Sequence, residues 1–320
     1  MPPLMQGIHI HIMERGIKGV RLIDNVYNFI VDTQGTRLDK YVCQKHSELS
    51  RTYVQKLIAD GYITVNDQRS KAGLKLNIGD RLRVVIPPTP PSPLVPEAIP
   101  LNIIYEDADL LVVDKPAGLP VHPAPGHPAH TLVNAILSHF PHLADIGDSL
   151  RPGIVHRLDK DTSGVMLVAK NSLAQANLIN QFKARSVVKA YLVLVKGHLT
   201  PENGIIEAPI GRDPRNRKRM AVVAEGREAR TEYHVVKYIG DYTLLEVRPE
   251  TGRTHQIRVH LSAIGYPVVG DKVYGVKSAY LLRQFMHASR LGFNLPSTGE
   301  YVEFKSELPP DLEQALKDIA

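Results

Sequence analysis

The chain has 320 residues, of which 43% are hydrophobic and 22% charged, and its formal net charge at pH 7 is +6. This length suits one large core together with a small module, and the modest positive charge is compatible with an anionic partner without requiring one. Because Cys43 is the only cysteine, the chain can form neither an internal disulfide framework nor a cysteine-based zinc site, which predicts a cytoplasmic protein. The sequence also lacks an apolar run long enough for a membrane span and an obvious signal peptide.

Four consecutive segments are predicted along the chain. The proline-rich stretch 87–100 cannot form regular helix or ladder hydrogen bonds, so it is interpreted as a linker. It separates a small module at 28–86 from a larger module at 101–320. Residues 1–27 show no clear periodicity and are interpreted as a poorly ordered N-terminal extension.

The small module is predicted to contain two helices and short strands. Apolar spacing indicates a helix over 36–42 and a second over 51–59, for which Ser50 is a suitable N-cap. Short strands are predicted at 62–65 and 81–86. By composition alone, this could be an ordinary α+β lobe with solvated cations.

Three local patterns of this module resemble the S4-type RNA-binding domain. They are the Arg-Leu-Asp opening at 37–39, the Ser-Arg helix start at 50–51 and the Gly-x-apolar-x-Val-Asn turn at 61–66. The resemblance implies that the module binds RNA through its exposed cations. The cations assigned to RNA binding here are Arg37, Arg51, Lys56 and Arg69.

The large module is predicted to be α+β with a mixed, largely antiparallel sheet, because its strands and helices do not alternate regularly. Helices are predicted over 131–140, from Asn171 or Ser172 to about 184, from about Thr254, and over 311–319. Strands are predicted over 109–114, 165–169, 190–196, 205–210, 231–239, 242–248, 285–293 and 301–305.

The string HRLDKDTSG at 156–164 carries the strongest chemical signal in the chain. A carboxylate at a strand entrance, with cations beside it, suits covalent or electrostatic action on a substrate. The string closely resembles the catalytic motif of the Rlu-type pseudouridine synthases (RluA superfamily), which isomerise uridine in RNA. The resemblance implies that Asp159 is the nucleophile, that Asp161 is not, and that Arg157 and His156 bind the substrate around an extruded nucleotide. Without the full string, the four letters HRLD would indicate only a surface turn with an Arg–Asp pair.

A second stretch, TGRTHQIRVH at 251–260, combines cations with a predicted helix. A helix from about Thr254 places polar side chains on one face beside an apolar stripe, and its free N–H groups suit a phosphate. The stretch is similar to the family segment that supplies a basic partner to the aspartate, which implies that this partner is Arg258. An isolated arginine would more simply pair with an unrelated acid. The substrate-binding residues assigned to this stretch are Arg253, Thr254, His255 and Ile257.

A third stretch places a tyrosine in a predicted strand. Alternation puts Tyr191, Val193 and Val195 on one side of that strand, where a tyrosine is ordinarily a packing residue. The Lys-x-Tyr string at 189–191 resembles the family segment whose tyrosine lies against the target base, and the matching residue is Tyr191. Stacking on an aromatic ring is worth about 1–3 kcal/mol per base, which helps to hold a uridine out of its helix.

The resemblance extends in family order from about residue 35 and includes the segments 114–123 and 267–271. The order of S4-type module, linker and catalytic domain is most similar to the D-type synthases of large-subunit ribosomal RNA. This implies isomerisation of specific uridines, most simply in 23S rRNA, by Asp-dependent cleavage of the N-glycosidic bond, base rotation and C–C joining. It further implies an RNA partner, no cofactor, no metal and a monomer. The basic loop is assigned to RNA phosphates through Arg212, Arg215, Arg217, Lys218 and Arg219.

Several alternatives remain open at this stage. A tRNA-directed synthase and a non-catalytic RNA-binding assembly factor would share most of these features. A glycosidase or hydrolase acting on a small substrate is disfavoured by the basic module and by the lack of a second suitably placed acid. The histidines within 122–130 lack the HExxH spacing of a zinc site, and His156, Asp159 and Ser163 lie too close along the chain for a hydrolase triad.

Overall fold

The computed structural model describes residues 25–46, 49, 51–87, 94–124, 126–148, 150–217, 219–275 and 277–319. Most of the predicted N-terminal extension therefore lies outside the described residues, as do Ser50 and Lys218. The chain divides into two compact units at residues 91–92, inside the segment expected to be the linker. No helix within the described ranges is long and apolar enough to cross a membrane.

The first unit consists of two helices and a sheet with strand order β1-β4-β2-β3, in which all neighbours are antiparallel. Its elements are β1 (Asn25–Ile30), α1 (Leu38–Lys45), α2 (Arg51–Asp60), β2 (Ile63–Val65), β3 (Gln68–Arg69) and β4 (Arg81–Ile86). Helices and strands share one core, to which Leu38, Leu57 and Ile63 contribute. Strands β1 and β3 were not predicted.

The second unit contains the rest of the described chain. Its first half comprises β5 (Asn102–Glu106), β6 (Leu110–Lys115), α3 (Leu132–His139), a short 3-10 helix (Pro141–Asp145), β7 (Ser163–Ala169), α4 (Ser172–Lys183), β8 (Val188–Lys196) and β9 (Asn203–Glu207). Its second half comprises β10 (Ile210–Arg212), β11 (Met220–Val222), β12 (Arg230–Ile239), β13 (Tyr242–Pro249), α5 (Gln256–Ala263), β14 (Met286–Asn294), β15 (Tyr301–Lys305) and α6 (Pro310–Ile319).

The main sheet has the strand order β5-β6-β7-β14-β8-β13-β12-β9, with β15 added to β14. Its neighbours are antiparallel except for β7 and β14, which run parallel where Ser163 and Gly164 face His287 and Ala288. This confirms the predicted α+β class with a mixed, largely antiparallel sheet.

Strand β7 is buried throughout, because both faces of the sheet are covered. Met166 and Val168 enter the core shared with α3 and α5, whereas Val165 and Leu167 enter the core shared with α4. A strand that is buried on both faces reads as a continuous apolar run, which is the pattern that identified it in the sequence. Its N-terminal end is held in the middle of the sheet and supports the turn that precedes it.

Two local predictions about the second unit were wrong in detail, and two of its strands were missed. The strand expected over 205–210 is interrupted, because Pro209 lacks an N–H group and β9 ends before it while β10 begins after it. Helix α5 begins at Gln256, two residues later than expected, because His255 adopts a left-handed backbone with φ 56°. Strands β5 and β11 were not predicted.

Candidate active site

The carboxylate of Asp159 lies in the turn that leads into β7. The backbone carbonyl of Asp159 accepts a hydrogen bond from the Thr162 N–H at 3.1 Å, which closes the turn. Gly164 has φ 116°, and an added Cβ there would collide with the backbone of Ala288 on β14. Glycine is therefore required at this position, because it allows both the positive φ and the close approach of the parallel strand.

His156 anchors the same turn to the sheet. Its Nε2 accepts the Leu167 N–H at 2.9 Å, and its ring stacks on Phe182 with centroids 4.7 Å apart. Burial, with the positive charge of Lys189 adding to it, lowers the pKa of His156 to about 3. A neutral ring suits the observed acceptor role, so His156 supports the turn with one nitrogen while it also lines the pocket.

The guanidinium of Arg258 is held between two carboxylates. Its Nη1 donates to Asp159 Oδ2 at 2.8 Å, and its Nε and Nη2 donate to the two oxygens of Asp271 at 2.7 and 2.9 Å. Burial opposes the charge on Arg258, but the hydrogen bonds and charges of Asp271 and Asp159 outweigh it and raise the pKa of the guanidinium. The structure thus joins Asp159 to Arg258 in a fixed, charged arrangement.

Asp271 is a member of this network to which the sequence analysis gave no role, although it closes the quoted segment 267–271. Its Oδ1 also accepts the N–H groups of Val273 and Tyr274, at 2.8 and 3.1 Å. Burial alone would raise the pKa of Asp271, but the Arg258 guanidinium outweighs it and lowers that pKa. No local sequence signal identifies Arg258 as its partner.

A pocket of about 500 Å³ opens beside this network. Asp159 and Tyr191 line it together with all six residues that were assigned to substrate binding, which are His156, Arg157, Arg253, Thr254, His255 and Ile257. Arg258 reaches Asp159 from the buried side and is only 5% exposed. The structure therefore brings together every candidate catalytic and substrate-binding residue of the second unit.

Tyr191 is largely buried in the wall of this pocket. Burial raises the pKa of its phenol, and the negative charge of Asp159 raises it further, so the phenol is neutral at physiological pH. A neutral ring at this position offers a flat apolar surface next to the carboxylate. Such a surface is suited to stacking on a nucleobase.

Lys189 is a further pocket residue that had no assigned role, although it stands within the quoted Lys-x-Tyr string. It lies two positions before Tyr191 on β8, so both side chains point to the same face of the strand. Burial, together with the nearby Arg185, lowers the pKa of Lys189 to about 8. Among the described residues, no carboxylate pairs with its ammonium group.

The candidate phosphate-binding cations lie in two places, one in each unit. In the first unit, the buried Asp39 accepts hydrogen bonds from Arg37 and Arg51, whose side chains remain 44% and 49% exposed, while Lys56 and Arg69 are exposed. In the second unit, the loop between β10 and β11 carries the basic run at 212–219. There Arg212 donates to the Arg217 carbonyl, Arg219 pairs with Asp213, and Arg215 is exposed.

The alternative sites are not assembled in the described residues. No group of three or more histidine, cysteine, aspartate or glutamate side chains is arranged there to hold a metal ion. Ser163 Oγ lies 3.0 Å from His287 Nδ1, so the histidine that Ser163 contacts is not the His156 of the disfavoured triad. Neither a histidine-based metal site nor that triad is present in this part of the chain.

Residues 109–263 match the RNA pseudouridylate synthase family, and residues 36–82 match the S4 domain. The chain therefore contains both domains that the sequence motifs predicted.

Curated relatives extend the match to most of the chain. The chain is 44% identical over 289 residues to the uncharacterized RNA pseudouridine synthase YlyB of Bacillus subtilis, covering 90% of this chain and 95% of that protein. It is 42% identical over 298 residues to the ribosomal large subunit pseudouridine synthase D of Zymomonas mobilis, covering 88% and 93%. The solved structure of human RNA pseudouridylate synthase domain containing 1 matches with a TM-score of 0.55 at 32% identity, covering 68% of this chain and 89% of that one. The chain belongs to the RNA pseudouridine synthase family and is an isomerase.

Proposed function

We propose that this enzyme converts specific uridines of large-subunit (23S) ribosomal RNA to pseudouridine in the cytoplasm, using Asp159 as the reacting carboxylate. The observation that carries the proposal is the placement of Asp159 in the pocket wall, with Oδ2 2.8 Å from Arg258 Nη1. Support for ribosomal RNA comes from the S4 domain and from relatives that are named as large-subunit synthases.

The chemistry needs one bond exchange at the target nucleotide. The N1–C1′ bond breaks, the uracil rotates, C5 bonds to C1′, the C5 proton is released and N1 takes up a proton. Positive charge develops on the sugar as N1 leaves, and a carboxylate can stabilise that charge or form a bond with C1′. Asp159 can therefore attack C1′, or it can assist loss of the C2′ proton to give a glycal. No redox step is involved, so we expect no cofactor.

The geometry gives the two oxygens of Asp159 different roles. Oδ2 accepts the Arg258 hydrogen bond, whereas Oδ1 has no protein hydrogen-bond partner among the described residues. Arg258 thus fixes the direction of the carboxylate and leaves Oδ1 available to the sugar. Tyr191 covers the base as a neutral ring, and the pocket cations, which include Arg157 and Lys189, hold the flanking phosphates.

The proposal is tested by mapping pseudouridines in ribosomal and transfer RNA from cells with and without this protein. We expect discrete 23S positions to lose pseudouridine, and to regain it with the unchanged protein but not with Asp159→Asn. Loss confined to tRNA positions would contradict the ribosomal substrate. Full restoration by Asp159→Asn would contradict the catalytic role and favour an RNA-binding assembly factor.

A further inference from the structure

Two hydrogen bonds connect strand β11, which follows the basic loop, to His255, and His255 lies beside the Asp159 carboxylate. The Met220 N–H, at the start of β11, donates to Tyr274 Oη at 2.8 Å. Tyr274 Oη in turn lies 2.9 Å from His255 Nδ1, and His255 Nε2 lies 4.0 Å from Asp159 Oδ2. The same tyrosine ring covers the Arg258 guanidinium at 5.2 Å. Neither Met220 nor Tyr274 takes part in the chemistry described above.

The hydrogen bonds of Tyr274 favour one tautomer of His255. A phenol has one proton to donate, and Tyr274 Oη already accepts the Met220 N–H. The only described acceptor within reach of that phenolic proton is His255 Nδ1. The tautomer with an unprotonated Nδ1 and a protonated Nε2 gives this phenolic proton its acceptor. Burial lowers the pKa of His255 although Asp159 opposes this, so the ring has one proton only.

The Nε2–H group faces Asp159 across a gap that fits one atom. A separation of 4.0 Å is too long for a direct hydrogen bond. A single oxygen could lie about 2.8 Å from both atoms, which is an ordinary hydrogen-bond distance. Asp159 acts at C1′ or C2′, where the adjacent ribose oxygens are O4′ and the 2′-hydroxyl, and only the 2′-hydroxyl can donate a hydrogen bond to a carboxylate. That group is both donor and acceptor, which matches a carboxylate on one side and an N–H on the other.

We propose that His255 donates from Nε2 to the 2′-hydroxyl of the target uridine, and that Tyr274 is a positioning residue that fixes this tautomer through its hydroxyl group. The inference rests on the proposed function, because it assumes that a ribonucleotide occupies the pocket. The left-handed backbone of His255 contributes, since it turns the side chain out of the helix line and toward Asp159.

The tautomer is measured by ¹⁵N NMR of the full chain with labelled histidine. We expect His255 to carry its proton on Nε2, with a hydrogen-bonded, unprotonated Nδ1. In Tyr274→Phe, which keeps the ring over Arg258, the Nδ1 resonance should move; in the control Tyr266→Phe it should not. A proton on Nδ1 in the unchanged protein, or an Nδ1 chemical shift that is the same in Tyr274→Phe, would overturn the role of Tyr274.

The substrate contact is tested by a double-mutant cycle, in which one change replaces His255 and the other removes the 2′-hydroxyl of the target nucleotide. Single-turnover rates are compared for a 23S fragment with uridine or 2′-deoxyuridine at the mapped target, in the unchanged protein, His255→Asn and His255→Gln. Asparagine tolerates the left-handed backbone but is too short to place a donor at Nε2, whereas glutamine can reach it.

We expect the rate ratio of uridine to deoxyuridine to fall about tenfold in His255→Asn, the loss of roughly one hydrogen bond, and to recover partly in His255→Gln. Equal ratios in all three proteins would overturn the contact. If the unchanged protein forms no pseudouridine in any 23S fragment, the proposed function itself fails, so the two failures are distinguishable.

Discussion

Replacing Asp271 with asparagine tests whether the buried arginine network organises the site. The Asp271 side chain is fully buried and that of Arg258 is 6% exposed, so the ion pair is shielded from solvent. Removing one partner of such a pair costs about 3–5 kcal/mol. Asp159 still balances the positive charge of the Arg258 guanidinium in this variant. We therefore expect the free energy of unfolding to fall by about 3 kcal/mol, the lower end of that range. The protein should remain folded, since domains are stable by roughly 5–15 kcal/mol.

The same substitution should slow catalysis. Without its bidentate partner, Arg258 is no longer fixed at three nitrogen atoms, and misplacement of about 1 Å near a reacting group costs up to ~100-fold in rate. We therefore expect the single-turnover rate to be about 10- to 100-fold lower than that of the unchanged protein. Urea denaturation measures the stability, and release of a hydrogen isotope from uracil C5 measures the rate, because C5 loses its hydrogen in the product.

Asp107→Asn is the matched control for this variant. Like Asp271, Asp107 accepts the N–H groups two and three residues later through Oδ1, at 2.7 and 2.8 Å, but no arginine among the described residues pairs with it. We expect it to lose less than about 1 kcal/mol, because an asparagine oxygen can accept both bonds. The reasoning is refuted if Asp271→Asn matches this control in both stability and rate.

Three further outcomes follow from the burial and charge of individual side chains. Tyr191→Phe should keep the single-turnover rate within about threefold, whereas Tyr191→Ala should lose the roughly 1–3 kcal/mol of base stacking; a fully active alanine variant would contradict the stacking role. Lys189 has a pKa lowered to about 8, so RNA affinity measured by fluorescence anisotropy should decline as pH rises through 8. That decline should be absent in Lys189→Met, and an equal decline in both proteins would show that another group is responsible. Burial raises the pKa of Asp39, but hydrogen bonds from Arg37, Gln55 and Arg51 outweigh it and lower that pKa. The ionised Asp39 therefore stabilises the first unit fully at a pH above the ordinary carboxyl pKa, and this stabilisation is lost as the pH falls below it. Asp39→Asn should therefore lower its thermal stability at pH 7 more than at pH 3, and an equal loss at both values would contradict this assignment.

Much of the fold was predictable because its signals are local. Helix α4 was predicted to start at Asn171 or Ser172, and the structure selects Asn171 as the N-cap, because its Oδ1 accepts the Ala174 N–H at 2.8 Å. Strand β15 has the predicted bounds, and its alternation marks one exposed face. The break at Pro209 and the late start of α5 were missed, since each depends on a single backbone feature that apolar spacing does not reveal.

The site was predictable only in part, because local strings identify single residues but not the contacts between them. Asp159, Tyr191 and Arg258 each belong to a distinctive local string, so each could be named separately. Their assembly depends on the sheet, which brings Arg258 to Asp159 across 99 positions of sequence. Asp271 and Tyr274 belong to the same site but have no chemical signal of their own. Only the packed structure shows what an ordinary buried aspartate or tyrosine contacts.

The most direct measurement compares Asp159→Asn with Asp161→Asn, which changes a carboxylate two residues away in the same turn. Each variant is assayed for pseudouridine formation and for RNA binding on the same 23S fragment. We expect Asp159→Asn to form no pseudouridine while its RNA affinity stays within about a factor of ten, because only the reacting group is lost. Asp161→Asn should remain active. Conversion of uridine by Asp159→Asn at a rate near that of the unchanged enzyme would contradict the account.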